Sequence, residues 1–235
     1  MQAKHISTSI SKAILSSLLV LLAPLAAFGH QSPDDGEQPA ETPADSVRFF
    51  RGVAVSVDLV GPAQMVIGDY GQYEAAVRIN LRDKYFPIVE VGLGKADAEE
   101  ATTNVSYKTS APYLRLGCDF NLMKNKHADN RIYGGFRYAF TSYKVDLERR
   151  NLPDPVWQWD SGFRIDGQSC YQHWAELVFG IDAKIFGPLH LGWTVRYRRR
   201  LFHNEGDIGR SWYVPGYGTY SEDKIGGTFN VIIDI

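Results

Sequence analysis

A chain of 235 residues with 25 Lys and Arg against 27 Asp and Glu has room for one β domain and no charge excess to draw it to nucleic acid or an acidic polymer. Beyond residue 29 no apolar run approaches the about 20 residues that a membrane-spanning helix needs, so a helical membrane protein is excluded.

Lys4 and Lys12 precede an apolar run from Ala13 to Phe28, and the small residues Ala27 and Gly29 flank Phe28 ahead of His30. That layout predicts a secretory signal peptide over residues 1–29, whose roughly 16 apolar residues are too few for a span. Gln31 to Ser46 combine Pro, Asp and Glu without one aromatic or branched aliphatic side chain. Such a segment cannot bury enough surface to order itself, so residues 30–47 read as a flexible periplasmic linker and 48–235 as the folded domain.

Eight stretches of that domain alternate apolar residues with polar or small ones, which predicts strands with two unlike faces. The first sets Val53, Val55, Val57 and Leu59 against Ala54, Ser56 and Asp58, and the second sets Tyr73, Val77 and Ile79 against Glu74, Arg78 and Asn80. In the third, Val89, Val91 and Leu93 oppose Glu90, Gly92 and Gly94; in the fourth, Leu114, Leu116, Cys118 and Phe120 oppose Tyr113, Arg115, Gly117 and Asp119. The fifth opposes Phe136, Tyr138 and Phe140 to Gly135 and Arg137, and the sixth opposes Leu177, Phe179 and Ile181 to Trp174, Glu176, Gly180 and Asp182. The seventh sets Leu191, Trp193 and Val195 against Gly192, Arg196, Arg198 and Arg200. The eighth, Lys224 to Ile235, ends on an apolar residue without a tail, the way a transmembrane barrel closes against its first strand and removes the free edge.

Connections near Asp83 and Lys84, from Lys124 to Asn130, and at Gly187 and Pro188 are short, whereas 97–110, 151–168 and 204–223 read as long loops. Outer-membrane barrels alternate short periplasmic turns with long external loops in this manner, and an even strand number puts both termini in the periplasm. The predicted fold is all-β, an eight-stranded antiparallel transmembrane β-barrel.

Glycine decides which face is the lumen. Gly92, Gly94, Gly117, Gly135, Gly180 and Gly192 fall on the charged face, and a lumen just wide enough for side chains needs small neighbours beside large charged ones. That face carries Asp58, Glu74, Glu90, Asp119, Glu176 and Asp182 with Arg78, Arg115, Arg137, Arg196, Arg198 and Arg200. Near balance of sign suits a packed network of ion pairs, because an unpaired buried charge is costly.

The strand alternation, the stretch Arg131 to Tyr138 (RIYGGFRY) and the closing strand resemble small eight-stranded outer-membrane barrels of the OmpA/OmpX-like type. In detail, residues 48–235 resemble a family of barrel proteins of unknown function from Bacteroidetes-type bacteria. The resemblance implies a fold and a Gram-negative envelope location, and it carries over no functional residue.

Chemistry is sparse. His173 and His203 near the outer ends of two strands, with Ser142 and Glu148, keep an acyl-transfer triad open on geometry, against ordinary interfacial polar residues. His5, His30, His127 and His190 are too scattered for a metal site, Gly92 to Lys95 is too short for a phosphate loop, and Cys118 and Cys170 are expected about 10 Å apart and unbridged. No catalytic residue, cofactor or metal is expected. The long loops carry Trp157, Trp159, Trp212, Tyr213, Tyr217 and Tyr220, which read either as a recognition surface or as an interfacial aromatic girdle.

The functional expectation is a monomer with a filled lumen and a structural or surface-interaction role through its external loops. The alternatives are a lipid-modifying outer-membrane enzyme and a narrow channel. Expected partners are outer-membrane lipid and lipopolysaccharide, the barrel-assembly machinery during insertion, and an extracellular ligand of the loops.

Overall fold

The computed structural model describes residues 48–100, 104–149 and 162–235; the expected signal peptide and linker, and Trp157 and Trp159, lie outside the described residues. In chain order the elements are β1 (Phe50–Asp58), α1 (Val60–Ile67), β2 (Tyr70–Leu81), β3 (Tyr85–Glu100), β4 (Val105–Asn121) and β5 (Arg131–Arg149). After them come β6 (Phe163–Phe186), β7 (Leu189–Asn204), β8 (Tyr213–Val214), β9 (Gly218–Thr219) and β10 (Asp223–Asp234). The long strands close into a barrel in the order β1-β10-β7-β6-β5-β4-β3-β2, while β8 and β9 form a separate small hairpin. The closing strand pairs with β1 from Ala54 opposite Asp234 to Asp58 opposite Asn230, and its other edge pairs with β7. Along the stretch where all eight long strands run side by side the sheet is closed, which is the condition for a sheet in hydrocarbon.

The two faces sort as the alternation predicts. Arg115 and Glu90 are 0 % and 1 % exposed, whereas Leu177 and Phe136 on the outside are 63 % and 54 % exposed. A water-soluble barrel would reverse this, since so wide an apolar surface is stable only against lipid. Large lumen side chains face glycine across the strand pairs: Tyr113 opposite Gly92, Arg137 opposite Gly117, Tyr133 opposite Gly180 and Arg196 opposite Gly226. A Cβ at Gly92 would lie 2.3 Å from the Tyr113 ring, so glycine there is the room the tyrosine occupies. For the outer face, Val195→Arg on β7 is expected to cost about 2–4 kcal/mol near the membrane midplane. Urea unfolding of the barrel in lipid vesicles checks this; equal midpoints for parent and variant would refute the outward assignment.

The barrel is lopsided. Measured from the end where β1 begins and β10 finishes, here the proximal end, β1, β2 and β10 run for 9, 12 and 12 residues, whereas β4, β5 and β6 run for 17, 19 and 24. The sequence reading of 97–110 and 151–168 as loops therefore needs correcting: β3 and β4 continue to Glu100 and from Val105, and β6 begins at Phe163. In the added length the faces exchange character. Outward positions turn polar at Lys108, Ser142, Lys144 and Asp146, and inward positions turn apolar at Ala96, Tyr107, Ala111, Tyr143 and Val145. On β5 the polar outward run from Ser142 to Glu148 adds about 20 Å along the strand. β3 to β6 thus rise beyond the lipid band as a curved wall, here the crown, at the distal end.

On the opposite, low side of the distal rim sits α1. The Asp58 carboxylate accepts hydrogen bonds from the backbone N–H groups of Val60 (3.1 Å), Gly61 (2.9 Å) and Phe229 (3.2 Å), tying the helix start to the closing strand. Val66 and Ile67 at its end are 87 % and 88 % exposed, continuing the apolar outer surface.

Candidate functional site

In the lumen, five guanidiniums (Arg78, Arg115, Arg137, Arg196, Arg198) meet five carboxylates (Glu74, Glu90, Asp119, Glu176, Asp182), all buried. Toward the proximal end, Arg78 lies 2.6 Å from Asp182 and 3.3 Å from Asp119, and Arg137 lies 2.7 Å from Asp119. At mid-height Glu90 is shared by Arg115 (3.1 Å), Arg137 (3.0 Å) and Arg196 (2.8 Å). Glu74 pairs with Arg115 and with Arg196 (2.9 Å) and accepts the Tyr113 hydroxyl (2.7 Å). Glu176 accepts the Trp174 indole N–H (2.6 Å) and lies 3.0 Å from Arg115.

Most of these charges have two or more opposite partners, while Asp182 has Arg78 (2.6 Å) and Arg198 has Glu176 (3.4 Å), and this pairing offsets their removal from water. The void among Glu74, Arg78, Glu90, Tyr133, Arg137 and Arg196 measures only about 10 Å³. That is about the room one water needs, so among the described residues side chains fill the lumen at this level.

Two members of the expected network are placed differently. Asp58 serves the backbone amides of α1 and β10. Arg200 is at the distal mouth, 3.8 Å from Glu205 and with its guanidinium over the Tyr220 ring.

Above the charges, the β7–β10 connection folds back into the barrel mouth. Arg115 donates to the Gly216 carbonyl at 2.7 Å and Arg198 to the Tyr217 carbonyl at 2.8 Å, so the lumen network holds the β8–β9 hairpin from below. The crown holds it from the side: the Tyr107 hydroxyl donates to the Tyr213 carbonyl (2.6 Å), and Tyr143 donates to Ser211 (2.8 Å). Tyr213 in turn donates to the Gly71 carbonyl (3.1 Å), and Tyr217 packs edge-on against Trp174 at 5.6 Å. Gly216 has φ +81°, and a Cβ there would lie 2.5 Å from the Tyr113 ring, so both the turn and the close seating require glycine. Burial pushes the Tyr217 hydroxyl up to about 12 and raises those of Tyr107 and Tyr213 as well, so these plug and crown hydroxyls stay neutral donors at physiological pH.

The loop aromatics consequently divide. Tyr213 and Tyr217 are each 1 % exposed and turn inward as part of a plug, while Trp212 and Tyr220 are 40 % and 39 % exposed at the distal surface. Sequence reading did not foresee the plug. The run Pro215-Gly216-Tyr217-Gly218 is the local turn signal that marks its hairpin.

The acyl-transfer arrangement is not assembled among the described residues. His173 faces outward and shares its Nδ1 with the Tyr138 hydroxyl at 2.7 Å, amid Phe140, Tyr171 and Phe202. Ser142 is opposite Tyr171, and Glu148 is opposite Arg164 at the crown's far end, six residues along β5 and so about 20 Å from Ser142. His203 pairs across β6–β7 with Gln172. Cys118 and Cys170 are free thiols, the second buried in the crown's core. Among the described residues no group of three or more His, Cys, Asp or Glu side chains is placed to hold a metal ion.

Three solved structures show a distant similarity to this chain. Neisserial surface protein A matches with a TM-score of 0.40 at 10% identity, over 78% of this chain and 93% of that one. A major outer membrane protein from Thermus thermophilus matches with a TM-score of 0.44 at 12% identity, over 79% and 100%. Ail, the attachment invasion locus protein of Yersinia pestis, solved with the heparin analogue sucrose octasulfate, matches with a TM-score of 0.36 at 10% identity, over 78% and 93%. No curated protein matches the chain. A family model does match, over residues 10–234, and the chain therefore belongs to the family described as domain of unknown function DUF6048.

Proposed function

We propose that this protein is a monomeric outer-membrane barrel of a Bacteroidetes-type envelope. Both termini are periplasmic, the lumen is closed, and the work is done at the distal, extracellular face as a structural or surface-interaction element. The observation that carries the reading is the plug: lumen arginines donate to the carbonyls of Gly216 and Tyr217, so charges that would line a pore fix the inward-folded hairpin in place. A rigid crown and plug standing clear of the lipid is a platform for contact with the surroundings, whether lipopolysaccharide or an extracellular ligand. The assembly machinery is engaged only during insertion.

Two measurements test this. A peptide tag inserted at Gly209, an open turn of the β7–β10 connection, is expected to be labelled on intact cells, and one at Gly187 only after permeabilisation. The reverse pattern would refute the orientation. Purified protein in planar bilayers is expected to show no steady conductance, because opening a path breaks coupled ion pairs at about 3–5 kcal/mol each. Stable, ion-selective single-channel steps from the unmodified protein would put transport ahead of the surface role.

A further inference from the structure

The plug does not cover the whole inner wall of the crown. Above it a cleft of about 580 Å³ opens to the distal side, within the range of about 300–1,000 Å³ typical of small-ligand sites. Its wall is apolar, from Ala98, Val105 and Leu147, and Trp212 stands beside them. Its rim is polar and nearly balanced, with carboxylates from Asp69, Glu99 and Glu100 and guanidiniums from Arg149 and Arg210.

Trp212 is 40 % exposed yet fixed. Its ring stands at 81° to Tyr70 (5.7 Å) and at 66° to Tyr107 (5.8 Å), and its carbonyl accepts the Tyr220 N–H at 2.9 Å. A large aromatic held in place while part of it stays exposed loses little entropy on binding a ligand. The lipid boundary does not account for it, because the cleft lies on the inner face of the crown, where β4 and β5 have already turned polar outside.

The chemistry narrows the ligand. A polyanion is disfavoured by three carboxylates on the rim, and a bare acyl chain gains nothing from five charged groups around it. A sugar ring matches both parts. Its C–H face packs on an indole and on small aliphatic side chains, and its hydroxyls donate to carboxylates and accept from guanidinium N–H groups. Arg149 supports this: its Nε is buried without a hydrogen-bond partner among the described residues. We propose that the cleft over Trp212 binds a neutral saccharide, stacked on the indole and hydrogen-bonded by Arg149, Arg210 and Asp69. This deepens the distal-face reading and rests on it.

The test uses the full chain in detergent micelles, with short linear oligomers of glucose, mannose, galactose and N-acetylglucosamine as probes and dextran sulfate as the polyanion. Saturation-transfer NMR is expected to show at least one neutral oligomer bound through its ring C–H protons. Trp212→Ala should weaken that binding by about tenfold or more, the scale of one lost aromatic anchor, and Trp212→Phe should restore part of it. Arg149→Gln should weaken it too, and it carries the test if Trp212→Ala loses its heat-modifiable, folded form.

The assignment is overturned if none of the neutral oligomers binds, if dextran sulfate alone binds, or if the folded variants bind as the parent does. Competition by polysaccharide extracted from the producing cells, set against an unrelated neutral glycan, separates a ligand on the cell's own surface from one outside it. A Gly209 tag exposed on intact cells together with no oligomer binding sinks the saccharide and leaves the distal-face reading standing. A hidden tag sinks both.

Discussion

A chain cut before Phe229 is expected not to enter a membrane at all. The lost residues include every partner that β10 offers to β1, from Asn230 opposite Asp58 to Asp234 opposite Ala54, together with the Ile235 backbone groups that exchange hydrogen bonds with Val53. They also strip β7 of its pairing from Leu189 to Trp193 and remove the Phe229 ring that packs at 4.5 Å on Trp193. Two strand edges would then face hydrocarbon, where each unsatisfied backbone group costs several kcal/mol. The sum far exceeds the about 5–15 kcal/mol that holds a typical fold together. The check is a heat-modifiable band and protease protection after refolding into vesicles; an integrated, protected truncated barrel would contradict the closure described above. Ile235→Ala, which keeps the backbone, should insert normally.

Closure and lumen were legible because membrane and packing impose opposite demands on alternate residues. Lipid requires Val89, Val91 and Leu93 on one side of β3, while a narrow interior requires Gly92 and Gly94 beside Tyr113 on the other, so both faces left a mark in the sequence. The crown left none that pointed the right way. Beyond Leu93 the outward residues become Lys95 and Asp97 and the inward ones Ala96 and Ala98, so the same period of two continues with its sign inverted. Read against the membrane pattern, that inversion looks like the strand ending.

The plug was hidden for a different reason. Tyr213 and Tyr217 are buried by partners such as Tyr107, Gly71 and Trp174, each far away in the chain, and a Gly- and Tyr-rich loop reads the same whether it points out or folds in. The alternation gives the charges a common face, yet which arginine meets which carboxylate depends on the strand stagger and is absent from the sequence. Arg196 reaches Glu90 across the barrel, from β7 to β3.

Glu90→Ala is expected to be the most damaging single change inside the barrel. Glu90 is 1 % exposed and serves Arg115, Arg137 and Arg196 at 3.1, 3.0 and 2.8 Å, so its removal leaves five lumen guanidiniums facing four carboxylates. The surrounding void of about 10 Å³ has no room for a shell of water to replace it. Breaking a buried pair in this way costs about 3–5 kcal/mol, because the partner charge stays buried. Glu90→Gln should cost less, since the amide fills the space and keeps one acceptor, yet it still lacks the charge. The double change Glu90→Leu with Arg196→Met restores charge balance at similar volume and should recover a large part of the loss, as apolar replacement of buried pairs does elsewhere. By contrast, Lys108→Gln breaks the exposed pair with Asp97, whose side chains are 58 % and 56 % accessible at 3.2 Å, and should cost under about 1 kcal/mol. Urea midpoints in vesicles rank the four variants. If Glu90→Ala unfolds with Lys108→Gln and the parent, or if the double change is worse than Glu90→Ala alone, the lumen is not held together by charge balance.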